Sequence, residues 1–304
     1  MIDRVQANGR RVPTPPKGET FESIRASLSL AAQRSDPRLT AEFENYLSAD
    51  LGRFLMTLDL VPQGTGRLLE IGADPYFTTL LLDHYRDYDL TLANGGEPGG
   101  SGEAVLGPGT PQERSMRFVT LNIEDDGISL DDGSFDVILF CEVLEHLTVD
   151  PLMALSRINR LLKPDGVLVL TTPNAARLAN AAALFAGNNM YDRYSAYGPY
   201  GRHNREYVLW ELRDLLAIAG FDVRRLFAAD YEVAIADETP VRLAPKRWLF
   251  DRVLTLLRAG RGDVGFTLFA QAVKKGPPGA KKPRWLYRSY PDDELLGADE
   301  TVLG

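Results

Sequence analysis

The sequence predicts an α/β protein built on a doubly wound, mostly parallel sheet of seven strands that follows an N-terminal helical extension. Short apolar runs of strand length recur along the chain, and segments with helical periodicity separate them. Strands that alternate with helices form parallel sheets whose two faces are covered. With 44% hydrophobic and 25% charged residues among 304, the composition is typical of a globular protein with a substantial core.

The N-terminal extension comes before the first strand. Residues 1–18 are rich in Pro, Gly and Arg and lack apolar periodicity, so we expect a loose arm there. In residues 21–60 apolar side chains recur at helical intervals, and Val61-Pro62 ends the last helix. The first strand is therefore expected at residues 67–71 (RLLEI).

The remaining strands alternate with helices. Strands are expected at residues 90–93, 117–121, 135–140, 167–171, 221–227 and 266–273. Residues 94–114 are Gly-rich and too irregular for a helix, so they are expected to form a mobile loop where the second crossover helix would normally stand. A functional loop and a merely flexible insertion are both consistent with that segment.

Charge and cysteine content restrict the function. The 42 acidic residues outnumber the 34 basic ones and give a net charge of -8, which disfavours a nucleic-acid substrate. Cys141 is the single cysteine, and no Cys/His cluster has the spacing of a zinc site, so neither a disulfide nor a metal is predicted. The N-terminus lacks the apolar region of a signal peptide and no apolar run is long enough to span a bilayer, so a cytoplasmic protein is expected.

Polar residues follow the strand ends, where open parallel sheets bind their ligands. Gly72 ends the first strand, Asn122-Ile123-Glu124 follows the third, and Glu142 follows the fourth. No G-x-G-x-x-G motif is present after the first strand, which counts against an oxidoreductase that uses a dinucleotide.

Four motifs stand in order at these strand ends: LLEIG, LNIE, FDVILFCEVLEHL and LLKPDGVLVLTTPN. In this arrangement the chain resembles the class I S-adenosylmethionine-dependent methyltransferases, particularly the bacterial branch that modifies quinones and glycans. The resemblance spans residues 67–174 and extends through GRHNREYVLWELRDLLAIAGF to Phe221. It implies a Rossmann-like fold, with an arm and helices at 1–60, a methyltransferase domain at 61–275 and a tail at 276–304.

The resemblance also implies a set of residues that contact S-adenosylmethionine. Gly72 would cradle the methionine part, Asn122 and Ile123 would flank the adenine, and Glu142 would lie beside the cofactor. Glu70 belongs to the same set, although hydrogen bonds to backbone amides of the turn are its favoured role.

Two positions depart from the family pattern. Asn94 stands where the family usually has an acidic residue that holds the ribose hydroxyls, and an amide can still hydrogen-bond a diol. The Gly-rich turn is replaced by ADPYF, which makes Asp74 a candidate for the cationic end of the cofactor.

Two histidines are the candidate catalytic bases. His203 lies in a polar, aromatic loop where the family often closes over the acceptor, and His146 lies at the pocket edge. The alternatives are structural: His203 could stabilise the loop that contains it, and His146 could pack against a helix. Tyr191, Arg193 and Tyr200 are the candidate substrate-binding residues, since aromatic hydroxyls suit a sugar or a planar ring, although such a segment can also form a homodimer contact.

The predicted function is O-methylation of a small hydroxylated acceptor such as a glycan or glycolipid precursor. N-methylation of a small amine and a non-catalytic cofactor-binding module are the alternatives. Residues 246–258 (KRWLFDRVLTLLR) are amphipathic and basic, which is consistent with peripheral contact with a membrane or lipid-linked acceptor, or with a helix packed on the domain. Glu145 follows the fourth strand and is interpreted as a carboxylate that favours a helix dipole.

Overall fold

The structure is a computed structural model that describes residues 13–31, 37–95, 100–106, 113–231 and 262–297. Two helices, α1 (Phe21–Ala31) and α2 (Pro37–Leu60), precede the sheet, as the sequence predicts. The strands and the helices between them then follow in this order: β1 (Thr65–Ile71), α3 (Phe77–Tyr85), β2 (Asp87–Asn94), β3 (Ser101–Leu106), β4 (Arg114–Thr120), β5 (Phe135–Cys141), α4 (Pro151–Leu161), β6 (Leu162–Pro173), α5 (Leu178–Phe185), α6 (Leu209–Ile218), β7 (Phe221–Ala229) and β8 (Thr267–Lys274).

The eight strands form one sheet in the order β3-β4-β2-β1-β5-β6-β8-β7. Only β3 and β8 run antiparallel to their neighbours. The strand order reverses at β1, which pairs in parallel with both β2 and β5. The carboxyl ends of β1, β2, β4 and β5 therefore meet at one edge, beside the switch point where open α/β sheets bind ligands.

The expectation of seven strands and of an irregular loop at residues 94–114 is wrong for β3. This strand pairs antiparallel with β4, and Ala104 lies opposite Met116 in the register. Leu106 and Met116 are buried together with Leu92 and Ala73, so the added strand gains apolar contacts at the edge of the sheet. The flanking glycines concealed a six-residue segment that becomes a strand only because β4 offers an edge to pair with. Residues 96–99 and 107–112 lie outside the described part of the chain.

Helices cover both faces of the sheet. Leu69 and Ile71 of β1 pack on the face that α4 and α6 cover, whereas Leu68 packs on the face that α1, α2 and α3 cover. This alternation is the two-residue period of a strand that is buried on both sides. The N-terminal helices therefore form one layer of the core, which brings α2 to the edge where the strands end.

The residues that follow β8 pack against the domain as far as 297. Trp285 lies edge-on to Trp210 of α6, with ring centroids 5.0 Å apart. Lys282 and Tyr287 both bind Asp150, the N-cap of α4. The domain limits stay a prediction, and the amphipathic residues 246–258 lie outside the described residues. Within the described ranges, every helix is too short or too polar to cross a bilayer.

Candidate functional site

Gly72 makes the turn after β1. Its φ of +79° lies in the left-handed region, and its N–H donates to the carbonyl of Ala93 at 2.8 Å. A Cβ at this position would lie 2.5 Å from Cγ2 of Val143, which follows β5. Only glycine lets the two strand ends approach this closely.

Asn94, at the end of β2, holds the same turn from the side. Its Oδ1 accepts a hydrogen bond from the backbone N–H of Asp74 at 3.1 Å, and its Nδ2 donates to the Tyr76 hydroxyl at 3.5 Å. The side chain therefore has a structural role in the ADPYF turn. Its contact with the ribose stays a prediction.

Glu70 is buried beneath the turn. Its Oε2 accepts a hydrogen bond from the Thr79 hydroxyl at 2.5 Å, so Glu70 bonds to a side chain of α3 rather than to the turn amides that we expected. Burial raises the pKa of the Glu70 carboxyl to about 7. The residue links β1 to α3 below the binding edge.

A cavity of about 80 Å³ opens beside this turn. Asp74 and Glu142 line it from the strand ends, and Arg53 lines it from α2. This cavity suits one end of a larger ligand, since pockets for whole small molecules have volumes of about 300–1,000 Å³. A guanidinium and two carboxylates match the carboxylate and ammonium of an α-amino-acid group.

Arg53, which lines this cavity from α2, was not predicted from the sequence. Its side chain is 4% exposed, its Nε donates to Asp50 at 2.9 Å, and its Nη2 donates to the Tyr46 hydroxyl. Its Nη1 lies 3.8 Å from Oε1 of Glu142. Helical periodicity could not reveal it, because Arg53 falls on the side of α2 away from the stripe of Leu51, Phe54 and Leu55, where a charged residue is expected to face solvent.

The predicted adenine side lies at the end of β4. Asn122 donates from Nδ2 to Asp125 at 3.2 Å and to the Tyr200 hydroxyl at 3.4 Å, whereas the Ile123 side chain is buried in the core. Tyr200 also lies 3.3 Å from the Thr148 hydroxyl. The structure thus brings a predicted substrate residue next to a predicted cofactor residue.

Glu142 stands at the end of β5 with a φ of +54°, an uncommon backbone conformation for a residue with a side chain. Its Oε1 accepts a hydrogen bond from Thr171 of β6 at 2.7 Å. Such strain persists where the surroundings fix it, and it concentrates at functional sites. The Thr171 and Arg53 contacts are what hold Glu142 at the cavity.

Glu145 has a different role from the helix-dipole carboxylate that we expected. It lies in a single 3₁₀ turn, Leu144–His146, and is fully buried. Its Oε2 accepts a hydrogen bond from Thr172 at 2.9 Å, while Oε1 has no hydrogen-bond partner and lies 3.7 Å from Nε2 of His146. Burial and the neighbouring charge of Glu142 raise the pKa of Glu145 well above its usual range, which favours a neutral carboxylic acid.

The two candidate bases lie side by side, with their ring centroids 5.0 Å apart. His146 Nδ1 lies 3.0 Å from the carbonyl oxygen of Arg202, so this nitrogen carries the proton. Burial and the charge of His203 lower the pKa of His146 despite that hydrogen bond. His146 is therefore a neutral ring that faces Glu145 with its other nitrogen.

His203 is held by a carboxylate. Its Nδ1 lies 3.0 Å from Oε1 of Glu206, which also forms a two-pronged pair with Arg177. Burial opposes protonation of His203, but the hydrogen bond to Glu206 and the charge of Asp192 outweigh it and raise the pKa of the ring. Burial likewise opposes ionisation of Glu206, and the hydrogen bonds from His203 and Arg177 outweigh it, so its pKa falls to about 2.

This arrangement fixes the chemistry of His203. An ionised Glu206 can only accept, so Nδ1 is the protonated nitrogen and Nε2 is left to receive a proton. Glu206 and Arg177 were not predicted from the sequence, although the three-residue spacing from His203 to Glu206 was a usable signal.

The two other predicted substrate-binding residues, Tyr191 and Arg193, are both exposed.

Three side chains at this edge could also bind a metal ion. Glu145, His146 and His203 each offer one ligand-type atom within 4.8 Å of the others, so this cluster can accommodate a cation. Spacing could not reveal it, because the ligands come from two distant segments.

Comparisons with known proteins identify the family of the chain. Residues 43–226, more than half of the chain, match the family model of a methyltransferase domain. A ubiquinone biosynthesis O-methyltransferase of Rhizobium etli is 26% identical over 136 residues, 40% of this chain and 52% of that protein. The protein of the same name from Agrobacterium fabrum is 27% identical over 147 residues, 43% of this chain and 56% of that protein. The chain thus spans about half the length of these curated relatives.

Among solved structures, the complex between the Haloferax volcanii Trm112 methyltransferase activator and a methyltransferase has a similar fold. The TM-score is 0.50 at 15% identity, over 85% of this chain and 99% of that chain. The open, mostly parallel sheet with a reversal of strand order is the Rossmann-like fold that the two chains share. The chain belongs to the methyltransferase domain family, and its cofactor is S-adenosylmethionine.

Proposed function

We propose that the chain transfers a methyl group from S-adenosylmethionine to a hydroxyl oxygen of a small molecule, a glycan or glycolipid precursor, in the cytoplasm. The observation that carries this proposal is the His203–Glu206 pair beside the carboxyl edge of the sheet, with His203 Nδ1 3.0 Å from Glu206 Oε1. A hydroxyl is a weak acid and a poor nucleophile unaided, whereas an amine needs less help from a base.

The cavity between Arg53, Asp74 and Glu142 receives the amino-acid end of the cofactor in this proposal. Arg53 donates to its carboxylate, and the two acidic side chains accept from its ammonium. When bound, S-adenosylmethionine supplies an electrophilic methyl group on a sulfonium. Asn122 and Tyr200, whose polar atoms lie 3.4 Å apart, close the adenine side.

His203 acts as the general base. Nε2 accepts the hydroxyl proton as the oxygen–methyl bond forms and the sulfur–methyl bond breaks, which leaves a methyl ether, a neutral thioether and an imidazolium. Glu206 stabilises the imidazolium through Nδ1, and Arg177 fixes the orientation of Glu206. Positioning and a held proton acceptor are sufficient for such an in-line displacement.

The names of the curated relatives support methylation at oxygen, and the glycan class rests on the polar, Tyr-rich segment beside the site. Calorimetry with S-adenosylmethionine tests the cofactor, and a methyl-labelled cofactor tests transfer to a panel of sugar hydroxyls, catechols and amines. Labelled ethers of the sugars are the expected result. Labelled amines alone would mean N-methylation, and binding without transfer to any acceptor would mean a non-catalytic module.

A further inference from the structure

One buried oxygen beside the proposed base has no partner. Glu145 is fully buried, its Oε2 accepts a hydrogen bond from Thr172 at 2.9 Å, and among the described residues nothing donates to its Oε1. A buried carboxyl oxygen in this position loses its hydration and gains no bond in exchange, so such atoms are rare in native proteins. A bound ion would satisfy it.

Two histidine side chains lie around this oxygen. Nε2 of His146 lies 3.7 Å from Oε1 of Glu145, and Glu145, His146 and His203 each offer one ligand-type atom within 4.8 Å of the others. A separation of 3.7 Å is too long for a hydrogen bond. Two atoms that bind one zinc ion lie about 3.3 Å apart, so side-chain movements of roughly 1 Å would bring all three atoms to coordination distance.

The other nitrogen of each ring is held in the way that metal-binding histidines are held. Nδ1 of His146 donates to the carbonyl oxygen of Arg202 at 3.0 Å, and Nδ1 of His203 donates to Oε1 of Glu206 at 3.0 Å. A ligating histidine almost always gives its second N–H to a backbone carbonyl or a carboxylate, which fixes the tautomer and the orientation of the ring. Both neutral rings therefore carry their lone pair on Nε2, the atom left to bind a metal.

Hydrogen bonds join the two segments that carry the ligands. The backbone N–H of Asn204 donates to the carbonyl of Glu145 at 2.7 Å, and its Nδ2 donates to the carbonyl of His146 at 2.9 Å. The N–H of Arg205 donates to the same carbonyl of Glu145 at 3.2 Å. The loop that carries His203 thus needs little further ordering when an ion binds, which favours affinity.

We infer that Glu145, His146 and His203 bind a divalent transition-metal ion of the zinc class. Two imidazoles and one carboxylate are a ligand set that zinc accepts, and three protein ligands leave one coordination position open. Magnesium and calcium prefer oxygen ligands, so they suit this site poorly. Because metal ligands bind in their deprotonated form, the ion takes the place of the proton on the Glu145 carboxyl.

Such an ion would regulate the reaction proposed above. The ion binds Nε2 of His203, and in the proposed mechanism the lone pair of this atom accepts the proton of the acceptor hydroxyl. Zinc and that proton therefore compete for one atom, so zinc should inhibit methyl transfer. This effect on the rate rests on the proposed function, whereas binding of the ion can be measured without turnover.

Calorimetric titration of zinc into the untagged, chelator-treated full chain tests the site. We expect one ion per chain and much weaker binding of magnesium. Glu145→Gln and His146→Gln should each weaken zinc binding about 100-fold or more, since even a residue that only orients a ligand contributes about 10- to 100-fold. Glutamine at 145 keeps the size of the side chain and an acceptor for Thr172, and it removes only the charge.

His84→Ala is the matched control. His84 is the remaining one of the three histidines, and it packs edge-on to Tyr85 at the end of α3. Its variant should bind zinc as the wild type does. Thermal unfolding followed by circular dichroism verifies that each variant is folded.

Three results would overturn the inference: wild-type protein that binds no zinc, equal zinc binding by wild type and both ligand variants, or magnesium binding as tight as that of zinc. Slower methyl transfer in zinc, restored by a chelator, would support both the site and its effect on the base. Zinc that binds as expected but accelerates methyl transfer would support the metal site and refute His203 as the base of the proposed function.

Discussion

Glu206→Gln is the substitution that tests the proposed base most directly. In the wild type, the Glu206 carboxylate accepts from Nδ1 of His203 at 3.0 Å and its side chain is only 9% exposed. Glutamine keeps the size and one acceptor oxygen but removes the charge. The imidazolium that forms when His203 takes a proton therefore loses its charged partner.

The size of the effect follows from the hydrogen bond. A bond to a charged group contributes about 1.5–3 kcal/mol and one between neutral groups about 0.5–1.5 kcal/mol, so the substitution removes roughly 1–1.5 kcal/mol of imidazolium stabilisation. Each 1.36 kcal/mol is tenfold in rate, so we expect kcat to fall about tenfold. The fall will be larger if the glutamine turns its NH₂ toward Nδ1, because the ring then holds its proton on the wrong nitrogen.

The pH dependence of the rate shows the direction in which each partner shifts the pKa of His203. The pKa of His203 is raised by Glu206, so the wild-type rate rises with pH through a value above that of an ordinary imidazole, where the base becomes deprotonated. In Glu206→Gln this rise moves to lower pH. Arg177→Gln should move it to higher pH, because Glu206 then directs its whole charge to His203.

The assay is the pH profile of kcat and of kcat/KM, together with cofactor affinity by calorimetry. Glu211→Gln is the matched control, since Glu211 pairs with Arg205 and caps α6 without touching His203. A Glu206→Gln enzyme with unchanged pH profile and kcat within about twofold of wild type would refute the base assignment. Equal loss of cofactor affinity and rate would make the pair a structural clamp of the loop.

Three further outcomes are expected. Arg53→Gln should weaken binding of S-adenosylmethionine about 10- to 100-fold, yet leave a decarboxylated analogue nearly unaffected, because only the cofactor's carboxylate needs the guanidinium; calorimetry with both ligands decides. Glu70→Gln should raise the Tm above pH 7 and change it little at pH 5. The folded state raises the pKa of the Glu70 carboxyl from 4.5 to about 7, so the protonated carboxyl stabilises the fold at low pH and this contribution is lost as the group ionises. At 1.36 kcal/mol per pKa unit, the loss is roughly 3 kcal/mol. Asn94→Asp should bind the cofactor as well as the wild type or better, because a carboxylate still accepts from Asp74 and offers the ribose charge-assisted bonds; a large loss with the fold intact would show that the amide's NH₂ is needed.

The strands were predictable because their signal is local. The runs that became β1, β5 and β6 are apolar on both faces, as strands buried in a parallel sheet must be, and each ends at a residue that the structure places on the binding edge. Position alone made Gly72 and Glu142 candidates, and the structure places both directly after strand ends at this edge. Strand ends in a doubly wound sheet meet at one edge whatever the side chains elsewhere.

What could not be predicted depends on partners distant in sequence. Arg53 reaches the site only because α2 packs across the sheet, and β3 exists only because β4 offers it an edge. The burial of Glu145 is decided by Thr172 and by the loop that carries His203, neither of which is near it in the chain. Hydrophobic periodicity in the sequence shows which side of a helix or strand is buried, but not which other element packs against that side.

The charged side chains at the carboxyl edge of the sheet form two separate pairs. Glu142 lies 3.8 Å from Arg53 and belongs to the cofactor cavity, while Glu206 lies 3.0 Å from His203 and belongs to the base. Glu145 lies between them, and its raised pKa keeps it neutral near pH 7, so the two pairs are not joined by a second buried negative charge. In the proposed mechanism, the proton that His203 accepts is therefore balanced by Glu206 without changing the charge that faces the cofactor. Ionisation of Glu145 at higher pH would end this separation, because a new carboxylate would then lie beside both Glu142 and His146.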